Sequence, residues 1–431
     1  MLGRRVVAGL VGVDPHLVKV LGCREEVVAA RGGGEVERIV VVELRAKIGQ
    51  HDRCPRCRRR CPVRDHSPVR RWRAVDWGRR RVFIQSRPVR VRCAEHGVIT
   101  AEVAWARHEA RHTRAFEQVA AWCATQMSAT AATVLLRCAW RTIGDLVARV
   151  AADLAAAAGS DGLDGLTRIG IDEVSYRKGH QYLVVVVDHD TRRLVWAAPG
   201  RDRATMNAFF TALGPARSAR LTHVTSDAAA WITRPVTAHA PQAIQCADPF
   251  HVVRWAGEAV NLIRRQVWNT VRRTREQGGG ANRPAVGDGK TINTGTWALR
   301  KNVADWTTRQ AAAMTWIKIN HPRLHRAWRL KEALREVFRS KGFLAVALLD
   351  RWLSWARRSR LPEIVDVARK ITNHRAAIEA CLLSGLNNGL VESVNTKIRL
   401  ITRRGYGFRN TTALIALTKL SLGLNKPTLP T

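Results

Sequence analysis

The stretch from Thr167 to Asp248 constrains the fold more than any other, because its apolar pattern changes period in a set order. LTRIGIDEVSY, GHQYLVVVVDHD and RRLVWAAPG are rich in β-branched residues and read as three successive strands, the last two joined by a DHDT turn. ATMNAFFTALG follows with apolar residues at helical spacing, and LTHVTSD and AIQCAD read as two further strands. The polar, glycine-containing connector GSDGLDGL at residues 159–166 sets this block off from what precedes it.

Three strands, a helix and two more strands is the element order of a ribonuclease H-like fold, in which strands one and four lie side by side. That order makes neighbours of Asp172, at the end of the first strand-like run, and Asp227, at the end of the fourth. A third acid, Glu392, sits in the helix-like GLVESVNTKIRL, with Asn395 on the same helix face. Carboxylates are the hard ligands that divalent cations need. Two such ions ~4 Å apart activate a hydroxyl and stabilise a leaving oxygen in phosphodiester chemistry. Lys397, Arg399, Arg403 and Arg404 follow closely and put positive charge where a phosphate would lie. A single acid at a strand end, however, more often serves a turn or the surface. Glu173, Asp188, Asp190, Asp202 and Asp248 are therefore rivals. Asp188 and Asp190 fit the hairpin turn. Asp248, in ADPFHVVRWA, fits a helix N-cap better than a place near the metals, with His251 three residues on.

The N-terminal part carries a different pattern. Cys54-Pro-Arg-Cys57 and Cys93-Ala-Glu-His96 are two pairs at the same tight spacing, separated by a β-rich stretch, which suits a structural zinc site. Such a metal would stabilise a segment too small for its own core and hold Arg56, Arg58, Arg59 and Arg92 on a fixed frame. Cys61 and His66 are rival ligands, whereas Cys23, Cys123, Cys138, Cys246 and Cys381 lack partners at metal spacing and read as core. From Thr113 to about Ala157 the pattern is helical. Ser128 is a good N-cap for a helix carrying Val134, Leu135 and Leu136. After a turn around Cys138 to Trp140, a second helix begins near Arg141 or Thr142. This resembles a helix-turn-helix, whose second helix enters the major groove, with Arg141 at its start. An ordinary helical hairpin would give the same pattern.

Charge points the same way. Lys and Arg total 72 against 35 Asp and Glu, a formal net charge of +37 in 431 residues, which implies a polyanionic partner, nucleic acid first. Hydrophobic residues make up 46%, so packed cores are expected and a disordered basic tail is excluded. Nine cysteines, an odd number, argue against a disulfide framework and for a reducing cytoplasm. No apolar run reaches the ~18 residues needed to span a bilayer. Beyond Asp248 the chain reads as helical, interrupted by the loop-like TREQGGGANRPAVGDGKT.

Taken together, CPRC with CAEHG, IGIDEVSYRKGHQYLVVVVD, VTSDAAAW, ADPFHVVRWA and NNGLVESVNTKIRLITRRGYGF resemble the ISL3 family of insertion-sequence transposases. The resemblance implies a multidomain α/β protein: a zinc-binding DNA-binding module at 1–110, a helix-turn-helix at 111–157, and a ribonuclease H-like DDE catalytic domain at 158–431 with a helical insertion at about 257–375. It implies Asp172, Asp227 and Glu392 as a catalytic triad holding Mg²⁺ or Mn²⁺, with Asp172 bridging both ions. Cys54, Cys57, Cys93 and His96 are implied to hold Zn²⁺, and Arg141, Asn395, Lys397, Arg399, Arg403 and Arg404 to meet DNA. The implied activity is cleavage at the element's ends and transfer of the freed 3′-hydroxyl into target DNA. The implied setting is a homo-oligomer on double-stranded DNA, with no membrane, in the bacterial cytoplasm at the nucleoid. Ser393 stands where glycine is expected after the glutamate, and His96 where a fourth cysteine is common. Two other functions fit a chain of this composition: a DNA-binding regulator that has lost catalysis, and a stand-alone nuclease or resolvase.

Overall fold

The computed structural model describes residues 3–29, 36–47, 52–227, 229–276 and 288–429. The middle of the loop-like stretch expected after Asp248, residues 277–287, lies outside them. The chain opens with α1 (Arg4–Leu10), β1 (Val18–Ala29), β2 (Val36–Ala46), β3 (Val63–His66), β4 (Arg70–Trp77), β5 (Arg80–Ser86), β6 (Val89–Cys93) and β7 (Gly97–Thr100). Helices α2 (Arg114–Gln126), α3 (Ala129–Leu136) and α4 (Trp140–Ala157) follow. Next come β8 (Arg168–Arg177), β9 (Gln181–Asp188), β10 (Arg193–Pro199), α5 (Arg203–Leu213), α6 (Pro215–Ser218), β11 (His223–Ser226), α7 (Ala230–His239) and β12 (Ile244–Ala247). The rest is helical: α8 (Pro249–Glu276), α9 (Asp288–Ala298), α10 (Thr308–Asn320), α11 (Pro322–Arg339), α12 (Gly342–Arg357), α13 (Pro362–Asn373), α14 (Arg375–Ser384), α15 (Gly389–Arg404) and α16 (Thr411–Leu422).

The chain divides into two compact units, one of residues 1–162 with 398–431, the other of residues 163–397. In the first, β1-β2-β5-β4 form one sheet and β3-β6-β7 another. Trp72, Leu44, Val42 and Ile84 fill the core of the larger sheet, where the unbroken apolar run of β2 is buried. Thr113 caps α2 through the Phe116 N–H at 3.2 Å. The expected Ser128 cap of α3 is present, accepting from the Ala131 N–H at 3.2 Å. Arg137, in the left-handed region at φ 50°, ends α3 and begins the short turn into α4. Residues α2–α4 alone cannot enclose an apolar core. Ala416, Leu417 and Leu420 of α16 complete it against Phe116, Ile143, Leu146 and Val147.

In the second unit the sheet order is β10-β9-β8-β11-β12, with β8, β11 and β12 parallel and the other pairings antiparallel. All five expected strands and the helix between them are present, and the first and fourth are neighbours. One expectation needs adjustment: Asp172 lies inside β8, because the antiparallel ladder with β9 continues to Arg177. The parallel ladder with β11 runs only to the Thr225–Gly170 pair, so Asp172 still stands just past that seam. Ile169 and Ile171 face α5 and α7, packing with Met206, Phe209, Ile232 and Val236. Gly170 and Asp172 point to the other face, since side chains alternate along a strand. There α15 approaches so closely that a Cβ on Gly170 would lie 2.4 Å from Val391 Cγ2. Helices α8–α14 surround their own core, which includes Leu324, Leu330, Leu349, Trp352 and Ile364.

Candidate functional site

Asp172, inside β8, and Asp227, just past the end of β11, stand beyond the carboxyl-terminal end of the parallel β8–β11 ladder. Continuing the register from Thr225–Gly170 puts residue 227 opposite residue 172. Open α/β sheets place ligands at this edge. Each acid is steadied by the backbone next to it: Asp172 accepts the Glu173 N–H at 2.8 Å, and Asp227 the Ala229 N–H at 3.0 Å. Glu392 arrives on the first turn of α15. Asn395, fully buried on that helix, donates to Asp172 Oδ2 at 2.9 Å, which ties the helix to the strand. Burial pushes Asp172 up to about 7, and the charges of Glu173, Asp227 and Glu392 add to the effect. Asp172 therefore feels the charges of the other two acids.

What brings α15 to the sheet is a buried polar chain that the sequence reading missed. The His189 ring lies 2.9 Å from Thr225 Oγ1, Thr225 donates to Asn388 Oδ1 at 2.6 Å, and Asn388 Nδ2 donates to the Ile171 carbonyl at 3.2 Å. Thr225 and Asn388 are buried. The chain clamps β8, β11 and the start of α15 together, and Gly170 provides the space. The only signals in the sequence were the Gly in IGID and the NNG before the helix.

Other expectations sort plainly. Asp188 accepts from the Asp190 and Thr191 N–H groups, so it serves the hairpin turn. Asp202 caps α5 through Thr205. Glu173 pairs with Arg201 at 2.9 Å, and burial raises its pKa. Asp248 does not spend its carboxylate on capping: its Oδ2 holds His251 Nδ1 at 2.8 Å. Among the residues expected to meet DNA, Arg141, Lys397 and Arg403 are exposed, while Arg399 and Arg404 are half-buried. Asn395 is turned to Asp172 and is 0% exposed, so in this form its amide cannot reach a phosphate.

The Cys/His cluster forms as its spacing suggested. The ligand atoms of Cys54, Cys57, Cys93 and His96 all lie within 4.8 Å of one another. Cys57 Sγ is 3.6 Å from Cys93 Sγ, and His96 Nδ1 is 3.6 Å from Cys93 Sγ and 3.7 Å from Cys54 Sγ. Zn–S bonds of ~2.3 Å in a tetrahedron set sulfurs about 3.8 Å apart, so the donor set fits a structural metal. Two tight turns make it: Arg58 N–H bonds back to the Cys54 carbonyl, and Gly97, at φ 67°, closes the hairpin that carries His96. His96 draws the Cys93 thiol down to about 6, toward the thiolate a metal needs. Cys61 bonds instead to the Arg59 carbonyl, and His66 ends β3; neither belongs to the group of four.

The chain is thus a mixed α/β protein with Asp172 and Asp227 opposite each other at one sheet edge and a Cys/His group that could hold a metal. Comparison with known proteins gives its class. A family model of the ISL3 type, described as Transposase, matches residues 169–418. The chain is 49% identical over 402 residues to the transposase for insertion sequence element IS1557 of Mycobacterium tuberculosis, covering 91% of this chain and 90% of that protein. It is 27% identical over 361 residues to the transposase for insertion sequence element IS1001 of Bordetella parapertussis, covering 83% and 85%. The chain belongs to the ISL3 family of transposases.

Proposed function

We propose that this protein binds the ends of its own insertion sequence, cleaves the DNA there and joins the freed 3′-hydroxyl to target DNA. What supports the reading is Asp172, which is influenced by the charges of Asp227 and Glu392 and accepts from buried Asn395 of the helix that carries Glu392. The sheet order with neighbouring first and fourth strands supports a ribonuclease H-like catalytic domain. The three carboxylates would form a hard oxygen donor set, to which Asn395 Oδ1, buried without a hydrogen-bond partner among the described residues, could add a fourth oxygen. This set suits Mg²⁺ or Mn²⁺. When bound, such ions supply an activated nucleophile and stabilise the leaving oxygen. The chain's own residues hold the geometry: Asn395 fixes the Asp172 carboxylate, and the Thr225–Asn388 bond fixes the helix that carries Glu392. Lys397, Arg399, Arg403 and Arg404 offer positive charge to the phosphate backbone.

End recognition falls to the N-terminal residues, about 1–157. The short α3–α4 turn fits a helix-turn-helix, with exposed Arg141 at the start of the helix that would enter the major groove. The four-ligand cluster fits Zn²⁺ as a structural metal. Synapsis of two ends calls for a homo-oligomer on double-stranded DNA. Among the described residues no helix is long and apolar enough to cross a membrane, in keeping with a place at the bacterial nucleoid in the cytoplasm. Incubating the full chain with paired end DNA and Mg²⁺ tests the reading. Joined products are expected; cleavage without joining would make the protein a nuclease, and binding alone a regulator.

A further inference from the structure

The edge that carries Asp172 and Asp227 has a third parallel strand, and that strand ends in a pair the reading above leaves unused. Ser226 pairs with Ala247, and the Asp248 N–H continues the ladder to the Ser226 carbonyl at 3.1 Å. Asp248 therefore follows β12 as Asp227 follows β11, one strand further along the same edge. Its carboxylate is nearly buried and accepts from His251 Nδ1 at 2.8 Å. The Phe250 ring meets the imidazole edge-on, with centroids 5.9 Å apart. The imidazole is thus held from two sides while keeping 23% of its side chain open to solvent. It lies close enough to Asp227 and Glu173 for charge to act between them.

A carboxylate on Nδ1 decides the tautomer. The neutral ring keeps its proton on Nδ1 and presents a lone pair on Nε2, the arrangement by which a histidine accepts a proton from an attacking hydroxyl. The Asp248 bond also raises the ring's affinity for that proton.

We infer that His251 is a general base of the proposed reaction and that Asp248 is its positioning residue. The inference rests on the cleavage and transfer reading given above. In cleavage, the water O–H proton passes to Nε2 and the water oxygen bonds to phosphorus. The bond from phosphorus to the 3′ oxygen breaks, and that oxygen takes a proton from solvent. In strand transfer, the 3′-hydroxyl gives its proton to Nε2 in the same way and its oxygen bonds to a target phosphorus; the target's bond from phosphorus to its own 3′ oxygen breaks, and that oxygen takes a proton from solvent.

The test uses the full chain, Mg²⁺ and duplex DNA carrying the sequence that flanks this gene. H251A should slow cleavage on the order of 100-fold, as loss of a general base does, with end binding unchanged. Added imidazole should restore a large part of the rate in H251A and none in D172N, a readout that a merely structural histidine would not move. D248N should be slow alone and add little in the H251A background, because it acts through the ring. H251A cleaving at the wild-type rate, or a slow H251A rescued by H251Q but not by imidazole, would overturn the assignment. A wild-type protein that makes no Mg²⁺-dependent cut would remove the underlying reading, and this inference with it.

Discussion

Cys54, Cys57, Cys93 and His96 come from two short turns, and their donor atoms sit at the separations a single tetrahedral ion requires. Asp172, Asp227 and Glu392 come from two strand ends and a helix far along the chain, and Asp172 feels the charges of the other two. The first cluster is soft, small and locally made; the second is hard, open and made by the fold. Thiolates closed around one ion serve stability, whereas carboxylates at the end of parallel strands leave room for a substrate. Burying an acid costs the folded state, and neighbouring acids add to that cost; the rise of Asp172 to about 7, by burial first, expresses it. The buried chain through Thr225 and Asn388, and the space at Gly170, are what hold the start of α15 against β8 and β11.

The largest effect should come from the acids themselves. Asp172→Asn, Asp227→Asn and Glu392→Gln each remove a hard anionic ligand at nearly constant shape. Each should abolish Mg²⁺-dependent cleavage while end binding and the melting transition survive. Substantial cleavage by any one of them would take that residue out of the site.

Next in size is the Cys/His cluster. Cys93→Ser should cost the full chain its zinc and loosen the β3-β6-β7 sheet, read by metal analysis and hydrogen exchange, while Cys61→Ser keeps the metal. The reverse pattern would mean that the ligands are misassigned, although the contrast between local and long-range sites would stand.

Smaller, and more telling, are changes to the scaffold behind the acids. Asn388→Ala would leave the Thr225 hydroxyl and the Ile171 carbonyl short of a buried partner, costing about 1–3 kcal/mol. Gly170→Ala must move Val391, because the new methyl would come within 2.4 Å of it. Both variants should weaken Mn²⁺ binding at the acids and leave zinc content unchanged. Loss of zinc in either would blur the division drawn here.

The acidity of Asp172 gives a pH signature. Its carboxyl is raised from 3.8 to about 7 by burial first, so its contribution to stability is complete below the unfolded value and is lost as pH rises through 7. Without divalent ions, the melting temperature of the wild type should fall over that window relative to Asp172→Asn, and Mn²⁺ should reverse the fall. Parallel curves would mean that Asp172 ionises normally. The smallest effect expected is that of Ser128→Ala, about 1 kcal/mol from loss of the α3 cap, measured by denaturant unfolding.

The same contrast explains what could be read in advance. The cysteine pairs were legible because both halves of the site are close in sequence, and strand periodicity made the five-stranded order legible as well. Asp172 and Asp227 followed from that order. Asn388, Thr225 and His189 did not, since nothing local in a threonine or an asparagine announces a partner far along the chain. Asp248 was misjudged for a related reason: an acid before a helix usually caps it, and only the position of the His251 ring shows otherwise. The C-terminal helix α16 hid its role too, because an apolar helix does not say which core it completes.

Metal content measured on one preparation of the full chain tests the central claim most directly. After dialysis against EDTA and then Mn²⁺, the wild type should carry about one zinc per chain together with manganese. The Asp172→Asn, Asp227→Asn double variant should keep the zinc and lose the manganese. Manganese retained by the double variant, or zinc lost with it, would contradict two independent sites of opposite chemistry.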